Sequence, residues 1–192
     1  MKDITIIDNF INDEELEEAR QFINKPITIL NIIENGLNVK EWFFNDLDNL
    51  DKKYIGGIND ATPSVQKFII KMLHKIEKYT NENVDIFRAY LNRQEYGQNG
   101  ILHTDDMNSG SYTLLIYIGD ITPENFYKTG GVLEFKNKEN TRVEPFTKRA
   151  VLFRGSIPHQ AFAPLVPGIN RISFAMKITC ISERLPFIVN YT

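Results

Sequence analysis

From Val84 onward the apolar residues fall into a period of two, and this constrains the fold more than any other feature of the chain. Successive strand side chains point to opposite faces, so alternation of this kind marks half-buried strands. Such segments recur near 84–92, 111–118, 131–136, 141–145, 149–154, 159–164 and 170–179, with Gly, Pro and Asn between them. Short strands at so even a spacing predict a mainly β protein with a double-sheet jelly-roll core.

Ahead of this core the period is largely helical. Ile4 and Ile6 read as a short first strand. Asn12 then caps a helix with Asp13, Glu14 and Glu15 at its positive end and a stripe of Leu16, Ala19, Phe22 and Ile23. Pro26 stops it. A second helix has Thr62 as cap candidate, Pro63 at its first position, and Val65, Phe68, Ile69, Met72, Leu73 and Ile76 at helical spacing. Both helices are expected to support one sheet. Between them Trp42-Phe43-Phe44 either joins the core or forms a lid over a site. Asp120 to Lys128 reads as a surface loop, and Gly130-Gly131 as a tight turn or bulge. No repeat, low-complexity tract or linker interrupts the chain. We therefore expect one domain over residues 1–192, with a helical support region at 1–83 and the jelly-roll core at 84–180.

A chain of 192 residues can bury a substantial core. Its net charge of -3 and pI near 5.7 give no general attraction to phosphate backbones or anionic membranes, so nucleic acid is a disfavoured partner. Cys180, the only cysteine, excludes an intramolecular disulfide and a thiolate-rich metal site. The first residues carry acids where a signal peptide has an apolar core, and no stretch reaches the roughly 18 apolar residues of a membrane span. A cytoplasmic location without membrane association is expected.

Chemistry concentrates at His103-Thr104-Asp105, where a glycine-containing loop (Gly97 to Gly100) meets an apolar strand. In extended chain, residues i and i+2 share a side, so His103 and Asp105 can converge on one ion. His159 supplies a third ligand from another strand, whereas His74 falls on the polar face of a helix. Two imidazoles and one carboxylate occupy one face of an octahedron and leave three positions for a bidentate cosubstrate and dioxygen, as in non-haem Fe(II) oxygenases. Arg171 can grip a distal carboxylate through two parallel hydrogen bonds. Ser173 shares its strand face and is a second donor candidate, and Lys177 lies on that face six residues after Arg171. Asp106 points the other way and suits a turn acceptor.

The runs Arg88 to Asn92 and Tyr96 to Asp105, followed in order by Thr113 to Ile118, Gly130 to Phe135, Arg149 to Gly155, Pro158-His159 and Arg171 to Phe174, resemble 2-oxoglutarate/Fe(II)-dependent oxygenases of the prolyl 4-hydroxylase-like superfamily. The resemblance spans about residues 84 to 178. It implies a double-stranded β-helix. It also implies Fe(II) held by His103, Asp105 and His159, 2-oxoglutarate on the metal and Arg171, O2 in the last position, and ascorbate as reductant. Tyr90 and Tyr117 resemble strand tyrosines that contact the cosubstrate. Hydroxylation of a C–H bond would accompany conversion of 2-oxoglutarate to succinate and CO2, with a prolyl residue of a peptide or protein as first substrate choice. A free amino acid or small metabolite is the alternative. Collagen-type prolyl hydroxylases use lysine where Arg171 stands, which sets this chain apart from that branch. Two readings of other classes compete. A metal hydrolase would use the same ligands with a metal-bound water but leaves Arg171 unexplained; a non-catalytic jelly-roll module would hold a structural metal or none.

Overall fold

The computed structural model describes residues 2–24, 44–45, 51–56 and 61–181, with side chains over 2–23 and 61–181. In chain order these form β1 (Ile4–Ile7), α1 (Asp13–Asn24), β2 (Phe44–Asn45), β3 (Asp51–Gly56), α2 (Pro63–Thr80), β4 (Asn83–Gln94) and β5 (Ser111–Tyr117). Then come α3 (Phe126–Thr129), β6 (Leu133–Phe135), β7 (Arg142–Val143), β8 (Ala150–Arg154), β9 (His159–Ala161) and β10 (Arg171–Ile181). Each strand expected from the two-residue period is present. One sheet runs β1-β8-β5-β10-β4-β3-β2 and a second runs β7-β6-β9, so the fold is an antiparallel jelly roll. A bridge between His103 and His159 adds a short fourth segment to the smaller sheet. The N-terminal region gives strands as well as helices: β1 pairs with β8, and β2 and β3 extend the large sheet beyond β4.

Alternation along β10 builds two cores. Ile172, Phe174 and Met176 pack with the helices, and Ala175 packs in the cluster between the sheets. Both helix stripes are as expected, with Leu16, Ala19 and Phe22 of α1 and all six apolar positions of α2 buried. Asn12 caps α1 reciprocally: its Oδ1 accepts from Glu15 N at 2.8 Å, and Glu15 Oε2 accepts from Asn12 N at 2.9 Å. Thr62 does sit at the N-cap of α2 ahead of Pro63, but its hydroxyl makes no capping bond and lies 3.3 Å from Ser64 Oγ. The segment from Asp120 is not all loop. Its second half winds into α3, helped by Asn125 Oδ1 accepting from Thr122 N at 2.8 Å. Pro26, Trp42 and Phe43 lie outside the described residues, and Phe44 is placed only as backbone in β2. Among the described residues no helix is long and apolar enough to cross a membrane.

The helix-to-sheet contact centres on Phe68, whose ring meets Phe22 at 5.4 Å and Phe174 at 5.2 Å, both edge-on. Phe68→Ala is expected to destabilise the protein by about 3–5 kcal/mol, read as a lowered urea midpoint at unchanged slope.

Candidate metal and cosubstrate site

Four strands and one loop bring the site together in rows across the large sheet. Register places Gln94 of β4 opposite Arg171, Asn92 opposite Ser173, Tyr90 opposite Ala175, and Arg88 opposite Lys177. On the other flank Tyr117 faces Ser173, Leu115 faces Ala175 and Thr113 faces Lys177. Arg171, Ser173 and Lys177 thus share a sheet face, and His103, Asp105 and His159 close over it from the smaller sheet and its neighbouring loop.

One ligand atom from each of His103, Asp105 and His159 lies within 4.8 Å of the others. The loop is pinned by backbone bonds: His103 and His159 exchange N–H···O bonds of 3.0 and 2.8 Å, and Asp105 N donates to Gly155 O at 2.8 Å. The rings are oriented alike. His103 Nδ1 is 2.9 Å from Ile101 O, and His159 Nδ1 is 2.9 Å from Ile157 O. A carbonyl only accepts, so both Nδ1 atoms carry the proton and both Nε2 atoms present lone pairs towards Asp105, at 3.5 and 3.7 Å from its oxygens. This is the tautomer a metal requires, fixed from outside. Phe135 and Phe153 wall the His159 ring at 5.8 and 4.7 Å.

Burial pushes the His159 pKa down to about 4, against the attraction of Asp105. Burial alone would raise Asp105; the Lys177 charge and hydrogen bond act against it, and the carboxyl is held well below the usual carboxylate range. Between the ordinary histidine value of 6.5 and about 4, the unfolded chain binds a proton that folded His159 refuses. The metal-free protein should therefore lose stability as pH falls through that window, by up to about 3 kcal/mol at about 1.4 kcal/mol per pKa unit. Urea midpoints taken from pH 7 downward would show this, and His159→Asn should flatten the profile.

Sequence reasoning missed the partners of Asp105. Its Oδ2 accepts from Thr113 Oγ1 at 2.6 Å and is in contact with the Lys177 ammonium, which also donates to Thr113 Oγ1 at 2.9 Å. Both cations of β10 are buried, yet Lys177 serves the Asp105 end and Arg171 the far end. Arg171 donates from Nε to Gly131 O at 2.9 Å, from Nη1 to Gln94 Oε1 at 2.7 Å and from Nη2 to Tyr117 Oη at 3.1 Å. Three of the five N–H groups of a guanidinium are so used, and two remain for a ligand. Gln94, also missed, is held in turn by Gln98 O and Ala161 O. The backbone approach of Gly131 requires glycine: φ is +91°, and a Cβ would crowd Ile121 at 3.1 Å. Tyr90 and Ser173 line the cavity, and Tyr117 stands behind it on Arg171. Asp106 is the turn acceptor expected, taking Asn108 N at 3.0 Å.

Two buried oxygens lining this cavity, Ser173 Oγ and Asn92 Oδ1, have no hydrogen-bond partner. Such groups are costly unless a polar guest satisfies them. The cavity is narrow, about 50 Å³, and both Lys177 and Arg171 line it. A cleft of about 720 Å³ opens elsewhere, beside Arg20, Asp120 and Arg149, but it contains neither the His-Asp-His set nor Arg171. Convergent polar groups, rather than volume, mark the smaller cavity as the site.

No family profile and no curated protein matches the sequence. Solved structures do. A viral collagen prolyl hydroxylase from Paramecium bursaria chlorella virus-1, in complex with 2-oxoglutarate, aligns with TM-score 0.62 at 18% identity, covering 94% of this chain and 97% of that one. The fold is that of a prolyl-hydroxylase-like 2-oxoglutarate/Fe(II) oxygenase. A Trichoplax adhaerens prolyl hydroxylase bound to a hypoxia-inducible-factor peptide fragment shares this oxygenase fold, with TM-score 0.57, 19% identity and coverage of 93% and 83%. So does HygX of Streptomyces hygroscopicus with nickel, 2-oxoglutarate and hygromycin B, at TM-score 0.62, 13% identity and coverage of 93% and 83%.

Proposed function

We propose that the chain, as one domain, is a 2-oxoglutarate- and Fe(II)-dependent dioxygenase that hydroxylates a C–H bond. The observation that carries this reading is the pairing, in one cavity, of a His-Asp-His set whose Nε2 atoms face Asp105 and a buried arginine beside unsatisfied oxygens. The donor set, two neutral imidazoles and one carboxylate, suits Fe(II). Bound there, the iron with 2-oxoglutarate and O2 would supply the oxidising power, releasing succinate and CO2; ascorbate would keep the iron reduced.

The protein's own work is positional. His103 and His159, oriented by Ile101 and Ile157 carbonyls, present their lone pairs; Thr113 and Lys177 hold one Asp105 oxygen so that the other is directed at the ion. Arg171, braced by Gln94 and Tyr117, anchors the distal carboxylate, and Ser173 and Asn92 offer polar contacts along the cosubstrate. Tyr90 and Leu115 form the wall between. An arginine so placed has no task in a metal hydrolase or a structural metal module.

The substrate reading is a prolyl residue of a peptide or protein, in keeping with the peptide complex of the Trichoplax neighbour. A small molecule is the second reading, in keeping with hygromycin B on HygX. The test is succinate release by the Fe(II) protein with ascorbate against proline-containing peptides, free amino acids and single-stranded oligonucleotides. Stimulation by peptides, with added oxygen found by mass spectrometry, is expected. Succinate formed only with a metabolite would discard the peptide and keep the oxygenase; no dependence on 2-oxoglutarate under any condition would discard both.

A further inference from the structure

We infer that Arg88 is the receptor for a carboxylate on the substrate, so that the site selects a molecule bearing that group close to the carbon it oxidises. The inference rests on the oxygenase reading above and narrows its substrate class. Arg88 shares its face of β4 with Tyr90 and Asn92, both of which line the cavity, and it stands in register with Lys177 across β10. Its guanidinium carbon lies 5.3 Å from the Tyr90 ring centroid, and the Lys177 ammonium lies 5.7 Å from the same centroid. Two cations therefore flank one aromatic wall of the site.

Their partners differ. Lys177 has Asp105 and Thr113, whereas Arg88 Nε is buried with no hydrogen-bond partner, and no acid pairs with the guanidinium among the described residues. Other partly buried arginines of this chain are matched to acceptors: Arg149 to Asp8 and Glu144, Arg154 to Asp3 and Ser109 O. Charge balance gives the same direction. Counted over the described residues, a divalent metal, the Asp105 carboxylate, a 2-oxoglutarate dianion, Arg171, Lys177 and Arg88 give the loaded site a net positive charge. A partly buried excess of that kind is stabilised by an incoming anion. A planar guanidinium favours an oxyanion, here a carboxylate from a free amino acid or the C-terminus of a short peptide.

Arg88→Leu and Arg88→Lys separate the possibilities. The probes are L-proline, other free L-amino acids, peptides ending in a free prolyl carboxylate, and the corresponding amides, titrated calorimetrically into anaerobic protein loaded with Fe(II) and 2-oxoglutarate. Wild type is expected to bind at least one acid about ten-fold or more above its amide, as a charge-assisted hydrogen bond implies. Arg88→Leu should erase that preference and Arg88→Lys should keep part of it, with 2-oxoglutarate affinity within about two-fold of wild type in both, which also controls for folding. Free amino acids and peptide termini are told apart by which acid binds. Equal binding of acids and amides by wild type, an undiminished preference in Arg88→Leu, or no binding of any acid overturns the Arg88 role. If instead wild type takes up no 2-oxoglutarate in the presence of Fe(II), the oxygenase reading itself has failed.

Discussion

His159→Ala is expected to abolish turnover and to weaken Fe(II) binding by more than about 100-fold, since loss of an outer-sphere partner alone costs about 10- to 100-fold. The three ligands should not behave alike in stability. His103 is the exposed one, its side chain 31% accessible, so His103→Ala should lose metal and leave the fold nearly as stable as before. His159 fills space between Phe135 and Phe153, and its truncation adds a cavity cost. Asp105→Ala is the severe case, because it strands the Lys177 ammonium, 1% exposed, without its counter-charge. Breaking a buried pair in this way costs about 3–5 kcal/mol. The double change Asp105→Ala with Lys177→Met should restore stability while remaining metal-free. Iron content, succinate release and urea midpoints measured together check the set; a single variant that keeps full iron-dependent turnover would falsify its residue's place in the triad.

The contrast between His103 and Asp105 shows which parts of this site a sequence carries. His103, Asp105 and their order before His159 are local signals: a two-residue spacing and strand-like surroundings. The strands of the core were legible because each alternates, and α2 because six apolar residues keep one helical face. Lys177 on Asp105, Gln94 on Arg171 and Arg88 beside Lys177 were not legible, since each depends on register between β4, β5 and β10, and a one-residue slip would send every one of them to the other face. Part of this was within reach: the two-residue rule that groups Arg171 with Ser173 also groups Arg88, Asn92 and Gln94 with Tyr90. The helical turn α3 was read as loop because Asn125, a turn residue by type, starts it. The unaligned hydroxyl of Thr62 has the opposite lesson, for there the backbone position was correct and the assumed hydrogen bond was absent.

Arg171→Ala is expected to raise the 2-oxoglutarate requirement by roughly 30-fold to several thousand-fold, the equivalent of about 2–5 kcal/mol for truncating one partner of a buried charge pair. Fe(II) binding should survive, because Arg171 stands at the opposite end of the cavity from Asp105 and touches none of the three ligands. The size of the effect follows from preorganisation: Gly131, Gln94 and Tyr117 hold the guanidinium before any ligand arrives, so little ordering is left to be done on binding. Arg171→Lys keeps the charge but loses the fork and the Gln94 and Tyr117 contacts together, and should recover only part of the loss. Gln94→Ala tests the bracing itself. It should weaken 2-oxoglutarate several-fold without touching iron, as a positioning residue would. Anaerobic titration of the Fe(II) proteins with 2-oxoglutarate measures all three. Unchanged affinity in Arg171→Ala would move the anchor elsewhere, and Lys177, already engaged by Asp105, would then have to exchange that carboxylate for the cosubstrate's.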